Sequence, residues 1–181
     1  MASSASTSTP TAAPHEPDTP ERALPARSLA VVRIVLGWVF LWAFLDKTFG
    51  LGYPTAEGHG WADGASPTEG FLASRDGSFG ELFRSMSDQP WSGWLFMGGL
   101  AGLGIALTLG IGLRVAAILG PVLMVTMWMS MLPLDSNPIV DVHIFYAVAM
   151  VALAVANAGD RWGLGRWWQD LGPVRRFPIL R

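Results

Sequence analysis

Four long apolar stretches limit what this chain can fold into more than anything else in it. They run from Leu29 to Phe49, Trp91 to Leu113, Val115 to Leu132 and Ile139 to Ala158, each 18 to 23 residues long. At about 1.5 Å per residue, a helix of that length crosses roughly 30 Å of hydrocarbon. In lipid every backbone N–H and C=O must find a partner within protein, and a helix provides one inside a single segment. The expectation is an all-α chain: an integral membrane, antiparallel four-helix bundle with spans at 29–49, 91–113, 115–132 and 139–158. Composition points the same way. Charged residues make up 14% of the chain, against about 25% in an ordinary soluble domain. That shortfall argues against a soluble enzyme, a nucleic-acid binder and a disordered chain. The absence of Cys excludes a disulfide framework, Cys-ligated zinc or iron–sulfur clusters and a thiol relay within this chain.

The flanking segments are of different material. Residues 1–28 are rich in Ser, Thr, Ala and Pro with no apolar run, and read as a disordered cytoplasmic tail. Residues 169–181 read as a C-terminal cytoplasmic tail. An even number of spans puts both termini on one side. Nine of the 12 basic residues fall on that side and three, Lys47, Arg75 and Arg84, on the other. The asymmetry predicts a plasma-membrane protein with both termini in the cytoplasm. Trp162, Trp167 and Trp168 suit an inner aromatic belt, and Trp91 and Trp94 an outer one. Within the long outer loop, Ser66-Pro67-Thr68-Glu69 has capping-box spacing with Pro at the first helical position. Ser78 and Glu81 repeat that spacing ahead of an apolar stripe at Phe79, Leu82, Phe83 and Met86, so short surface helices are expected there.

Packing signals are also present. Gly98, Gly102, Ala106 and Gly110 recur every four residues, a spacing that lets two helix backbones approach closely in lipid. The stripe is read as a contact within the chain, with a homodimer face as the alternative. Pro121 removes an N–H from the third span and predicts a kink. Arg33, one turn inside the cytoplasmic end of the first span, is expected to snorkel to the interface.

Ionisable groups inside spans are costly, and mark functional candidates by default. The first span ends with Asp46 and Lys47; the fourth begins Asn137-Pro138-Ile139-Val140-Asp141-Val142-His143, with Tyr146 one turn on. Antiparallel threading brings these to one membrane face, together with a Met/Trp face on the third span. The candidate proton-transfer residues are His143, Tyr146, Asp141, Asp46 and Lys47. A slot for a quinone or lipid is assigned to Met124, Trp128, Met131, His143 and Tyr146. Each also has a structural use. Asn137 and Pro138 make a good helix start, Asp141 suits a first turn, and a lone membrane His is often a hydrogen-bonded packing residue. No metal site is expected, since no paired His spacing exists, and no phosphate loop, dinucleotide fingerprint or nucleophile elbow is present.

The residues Arg33-Ile-Val-Leu-Gly37 through Leu45-Asp-Lys-Thr-Phe49, then Ser66-Pro-Thr-Glu-Gly-Phe-Leu72, then Asn137-Pro138 and Asp141-Val-His143-Ile-Phe-Tyr146 resemble the DoxX family of four-helix bacterial membrane proteins. The resemblance spans about residues 29–168. That group includes a small membrane subunit of an archaeal thiosulfate:quinone oxidoreductase, and relatives are placed in oxidative-stress complexes. It implies a quinone-linked or redox-supporting role but supplies no catalytic residues. Two functions stand side by side. One is a redox membrane subunit with a non-covalent quinone and an electron donor from another protein. The other is a non-catalytic scaffold or assembly partner whose polar cluster is structural. Membrane lipid and a redox partner protein are the expected partners, a homo-oligomer is left open, and nucleic acid is not expected.

Overall fold

The computed structural model describes residues 20–135 and 137–181, with side chains from residue 24 onward. The described residues fold entirely into helices and connecting segments: α1 (Pro20–Phe49), α2 (Glu69–Ala73), α3 (Gly80–Arg84), α4 (Pro90–Leu109), α5 (Leu113–Ser130), α6 (Val142–Val155), α7 (Gly165–Asp170) and α8 (Gly172–Arg176), with 3-10 turns at Trp61–Asp63, Ala158–Asp160 and Pro178–Leu180. Three helices, α1 from Leu24 onward, α4 and α5, are long and apolar enough to cross a membrane.

The fourth apolar helix is shorter than expected. α6 has 14 residues, about 21 Å at 1.5 Å per residue, where a span at 139–158 was predicted. At one end, the Asn137 side chain accepts the N–H groups of Ile139 and Val140, both at 2.9 Å. This Asx turn holds the chain out of the helix, which starts only after Asp141. At the other end Asn157 adopts a left-handed φ of 47° and stops it.

α1 packs along α4, α5 along α6, and α4 along α5. The pairs run antiparallel: Gly37 meets Thr108 while Gly104 meets Leu41, and Gly99 meets Leu123 while Leu103 meets Gly120. Leu36, Phe40, Met97, Leu107, Met150 and Leu153 are among the buried residues of the shared core. The outward faces are apolar as well. Val35, Trp38, Leu119, Val122, Phe145 and Val155 are all exposed. Helices that are apolar all round suit a hydrocarbon surrounding rather than water.

The close approaches do not follow the expected small-residue stripe. A Cβ on Gly98 or Gly102 would meet nothing, and both glycines are exposed. A Cβ on Gly104 would lie 2.7 Å from the Leu41 backbone nitrogen, and one on Gly37 would lie 2.6 Å from that of Thr108. Gly37 and Gly104 therefore set the α1–α4 distance. α5 is assigned as one uninterrupted helix through Pro121. The neighbouring Gly120 lets α6 approach, since a Cβ there would sit 2.4 Å from Met150 Sδ.

Arg33 does not snorkel. It is fully buried, and its guanidinium spends its donors on five main-chain carbonyls. Nε donates to Ala158 (3.1 Å), Nη1 to Leu107 and to Thr108 (2.9 Å), and Nη2 to Arg161 (3.3 Å) and Trp162 (2.9 Å). A guanidinium has five N–H groups, so each finds an acceptor. Two of these carbonyls belong to the last turn of α4, where the C-terminal C=O groups lack helical partners and the helix dipole is negative. The others lie just beyond α6. One side chain of α1 thus ties together the ends of two other helices. Gly110 and Gly163 make room for it; a Cβ on either would come within 3.0 Å of the guanidinium.

The N-terminal tail differs from expectation where it is described. Residues 1–19 of the predicted disordered tail lie outside the described residues, but 20–28 are the first turns of α1. Pro20 opens that helix, a position where its missing N–H costs nothing and its fixed φ favours the helix. Residues 169–181 fold back on the same end of the bundle. The Arg114 N–H donates to the Arg181 carbonyl at 2.8 Å, the Trp168 indole N–H donates to the Leu180 carbonyl, and Val174 is 2% exposed.

Candidate functional site

At the opposite end of the bundle, residues 50–89 fold over the ends of α1, α4 and α5. α2 starts at Glu69 after Thr68, so Ser66 and Pro67 lie ahead of the helix and not at its cap and first position as the S-x-x-E spacing predicts; Ser66 Oγ still accepts the Glu69 N–H at 3.1 Å. Leu72 of α2 and Phe83 of α3 are buried, while Phe79 and Leu82 remain exposed, so the predicted stripe is split between two faces. Arg75 anchors the connection. Its Nε donates to the Phe71 carbonyl at 3.0 Å, its guanidinium stacks 4.2 Å from the Phe71 ring centroid, and Nη1 reaches Met131 Sδ at 3.2 Å.

Between this cover and the helices lies a cavity of about 520 Å³. Its walls are mostly apolar, with Phe71, Phe83, Trp91, Phe96, Leu123 and Met127 prominent. Size and lining match a site for one small ligand. The polar groups in the wall are of two kinds. Thr68, Ser92, Thr126 and Ser130 have their hydroxyls engaged: Thr68 Oγ1 and Ser92 Oγ lie 3.1 Å apart, and Thr126 and Ser130 donate to the α5 carbonyls of Val122 and Met127. Lys47 and His143 are the ionisable groups lining the cavity, and no acidic side chain lines it among the described residues.

The five predicted polar candidates separate by their partners. Lys47 lies at the cavity wall with Nζ 6.0 Å from the Phe96 ring centroid. Among the described residues its ammonium has no hydrogen bond and no ion pair. His143 also lines the cavity, and its Nδ1 lies 2.6 Å from Asp141 Oδ2. An ionised carboxylate only accepts, so Nδ1 donates, and Nε2 makes no hydrogen bond among the described residues. Asp141 caps α6: Oδ1 accepts the N–H groups of His143 (2.9 Å) and Ile144 (3.2 Å). It takes the capping role expected of Asn137, and it sets His143 at the mouth of α6 instead of deep within a span. Asp46 is 1% exposed and does not line the cavity; it holds the following loop, accepting the N–H groups of Tyr53 (3.3 Å) and Thr55 (2.9 Å). Tyr146 packs edge-on against Phe40, ring centroids 5.8 Å apart, and borders the core.

The predicted Met/Trp slot is distributed differently. Met124 is buried in the core at 3% exposure, Trp128 donates its indole N–H to the Ile139 carbonyl at 2.9 Å, and Met131 sits beside Arg75. None of the three lines the cavity. The α5 face that does is Leu123, Thr126, Met127 and Ser130, a helical stripe offset from the predicted one. Residues that sequence reasoning did not assign to a site, Pro67, Thr68, Phe71 and Leu72, supply the cover. Their signal was present in the S-P-T-x-G-F-L stretch, read only as helix-capping and family-like. Among the described residues no three His, Cys, Asp or Glu side chains cluster as metal ligands would. Comparison of the chain with protein-family models, curated proteins and solved structures finds no match in any of the three.

Proposed function

We propose that the chain is an integral membrane protein of DoxX type that supports quinone-linked or oxidative-stress redox chemistry, as a small subunit of a membrane oxidoreductase. In this reading both termini are cytoplasmic and the covered cavity lies toward the outer leaflet. The observation that carries it is the cavity itself: an aromatic-lined space at one end of the bundle in which Lys47 and His143 share a wall. The residues fit a quinone. A flat ring fits among Phe71, Trp91 and Phe96, and its carbonyl oxygens need donors, which the Lys47 ammonium supplies. A bound quinone supplies two-electron, two-proton redox chemistry, with electrons from a partner protein. For the chain's own part, Asp141 fixes the His143 ring by its Nδ1–H, which leaves Nε2 as the position able to take or give a proton.

The scaffold reading has its own support. Asp46 and Asp141 spend their carboxylates on backbone N–H groups, as structural residues do. Organic extraction of purified protein, followed by titration with a decyl-benzoquinone read by Trp fluorescence, separates the two. Co-purified quinone and saturable quenching weakened in His143→Gln, with His59→Gln unchanged, support the redox subunit. An extract free of quinone together with no saturable quenching moves the scaffold ahead.

A further inference from the structure

We infer that the covered cavity takes a single-chain amphiphile with an ionised acidic head, of the free fatty acid class, held at Lys47. The inference rests on the reading of this cavity as a ligand site, and it names an occupant other than the quinone for the same Lys47. Charge comes first. Lys47 is half-buried at the wall of an apolar cavity, where an ammonium gains from a nearby counter-charge. His143 has its carboxylate, Asp141, at 2.6 Å. Lys47 has none: no acidic side chain lines the cavity, and its ammonium makes no hydrogen bond or ion pair among the described residues. Its nearest recorded partner is the Phe96 ring, 6.0 Å away to the centroid. The hydroxyls nearby are committed to one another or to their own helices. The cavity therefore presents one positive charge with three N–H donors and no counter-charge from its own lining among the described residues. A carboxylate, with two acceptor oxygens and one negative charge, answers both needs by charge-assisted hydrogen bonds, where a neutral oxygen answers only the donors.

Shape comes second. The space is about 520 Å³ and bounded by Phe83, Trp91, Leu95 and Met127. That is within the range of roughly 300–1,000 Å³ that holds one drug-sized ligand, a size that suits a single alkyl chain. The surrounding helices present apolar faces outward, as suits a ligand that is itself dissolved in lipid.

The test uses detergent-purified full-length protein and a fluorescent polyene fatty acid as probe, displaced by hexadecanoic acid, by 1-hexadecanol, by phosphatidylglycerol and by decyl-benzoquinone. The expected result is displacement by the acid at about tenfold lower concentration than by the alcohol. That preference should be lost in Lys47→Met and kept in Lys47→Arg, with Lys47→Met melting like wild type. Equal displacement by acid and alcohol, or an acid preference that survives Lys47→Met, overturns the charge assignment. Phosphatidylglycerol competing as well as the free acid overturns the single-chain assignment. Quinone displacing while the acid does not overturns this inference and leaves the redox reading standing; the reverse leaves this inference standing and removes the quinone from the cavity.

Discussion

Replacing Arg33 with Leu removes the donor of all five bonds to Leu107, Thr108, Ala158, Arg161 and Trp162. Leu fills much of the volume but supplies no N–H. The bonds to Leu107 and Ala158 are fully buried, and a buried carbonyl left without a partner costs about 1–3 kcal/mol. The remaining three are partly buried and can turn to water or headgroups. The expected loss is therefore about 2–6 kcal/mol from the two buried carbonyls. For a chain of this size that corresponds to a drop of about 5–20 °C in melting temperature. Lys at this position has three donors on one nitrogen and cannot span five carbonyls in a plane, so Arg33→Lys should fall between wild type and Arg33→Leu. The assay is thermal unfolding of detergent-solubilised protein followed by far-UV circular dichroism, with exposed Arg27→Leu as the control. Since the clamp joins α1 to the segment after α6, proteolysis after Arg161 and Arg166 should accelerate in the same order. An Arg33→Leu protein that melts like Arg27→Leu would refute the clamp and restore the view of Arg33 as a snorkelling anchor.

Two further outcomes follow from the packing and the cap. Gly104→Leu should destabilise by more than about 1–3 kcal/mol, the usual cost of overpacking, because a Cβ there already meets the Leu41 backbone; Gly102→Leu, with open space, should melt like wild type, and equal melting of the two would remove Gly104 as a contact. Asp141→Ala should cost about 1 kcal/mol through the lost helix cap, and Asp141→Asn, which keeps an acceptor, less; two-dimensional NMR of labelled histidine should show the His143 Nδ1 proton signal lost in Asp141→Ala, and an unchanged signal would contradict the Asp141–His143 bond.

The contrast between Gly102 and Gly104 shows where the sequence stops being informative. The existence of the long helices was legible because the length of an uninterrupted apolar run is nearly sufficient to specify a spanning helix. Which face turns inward was not. A helix that is apolar all round has no polar side to set its rotation, so the small residues were the remaining cue, and they pointed at the wrong face. Gly104 lies two residues from Gly102, about 200° around the helix, essentially the opposite side. The periodic set Gly98, Gly102, Ala106 and Gly110 outnumbers it, yet what fixes the contact is the α1 backbone at Leu41, which no pattern within α4 encodes. Arg33 presents the same difficulty at longer range. Its acceptors lie 74 to 129 residues along the chain, and a cation one turn inside a span looks identical whether it reaches out to headgroups or in to carbonyls.

The candidate site was legible to the extent that its chemistry is scarce. Lys47 and His143 stood out because ionisable side chains are rare near spans, and both line the cavity. Asp46 and Asp141 stood out for the same reason, but a carboxylate at a helix end has two uses, and rarity does not distinguish them. The difference lies in where its oxygens go. Asp46 closes the turn after α1 through Thr55, nine residues on, and Asp141 caps its own helix. The second use is local and was open to reading from Asp141-Val142-His143, had Asn137-Pro138 not offered a competing start. The apolar wall was least legible. Met124, Met127, Trp128 and Met131 form one stripe by spacing, but Met124 turns into the core and Met127 into the cavity. The cavity exists because α2 and α3 cover that end of the bundle, so which faces of α4 and α5 line it depends on the cover as well as on the helices. If the cavity holds a ligand as proposed, the cover is the part that would set selectivity: Phe71 and Phe83 lie outside the bundle core, while Lys47 and His143 stay where α1 and α6 hold them.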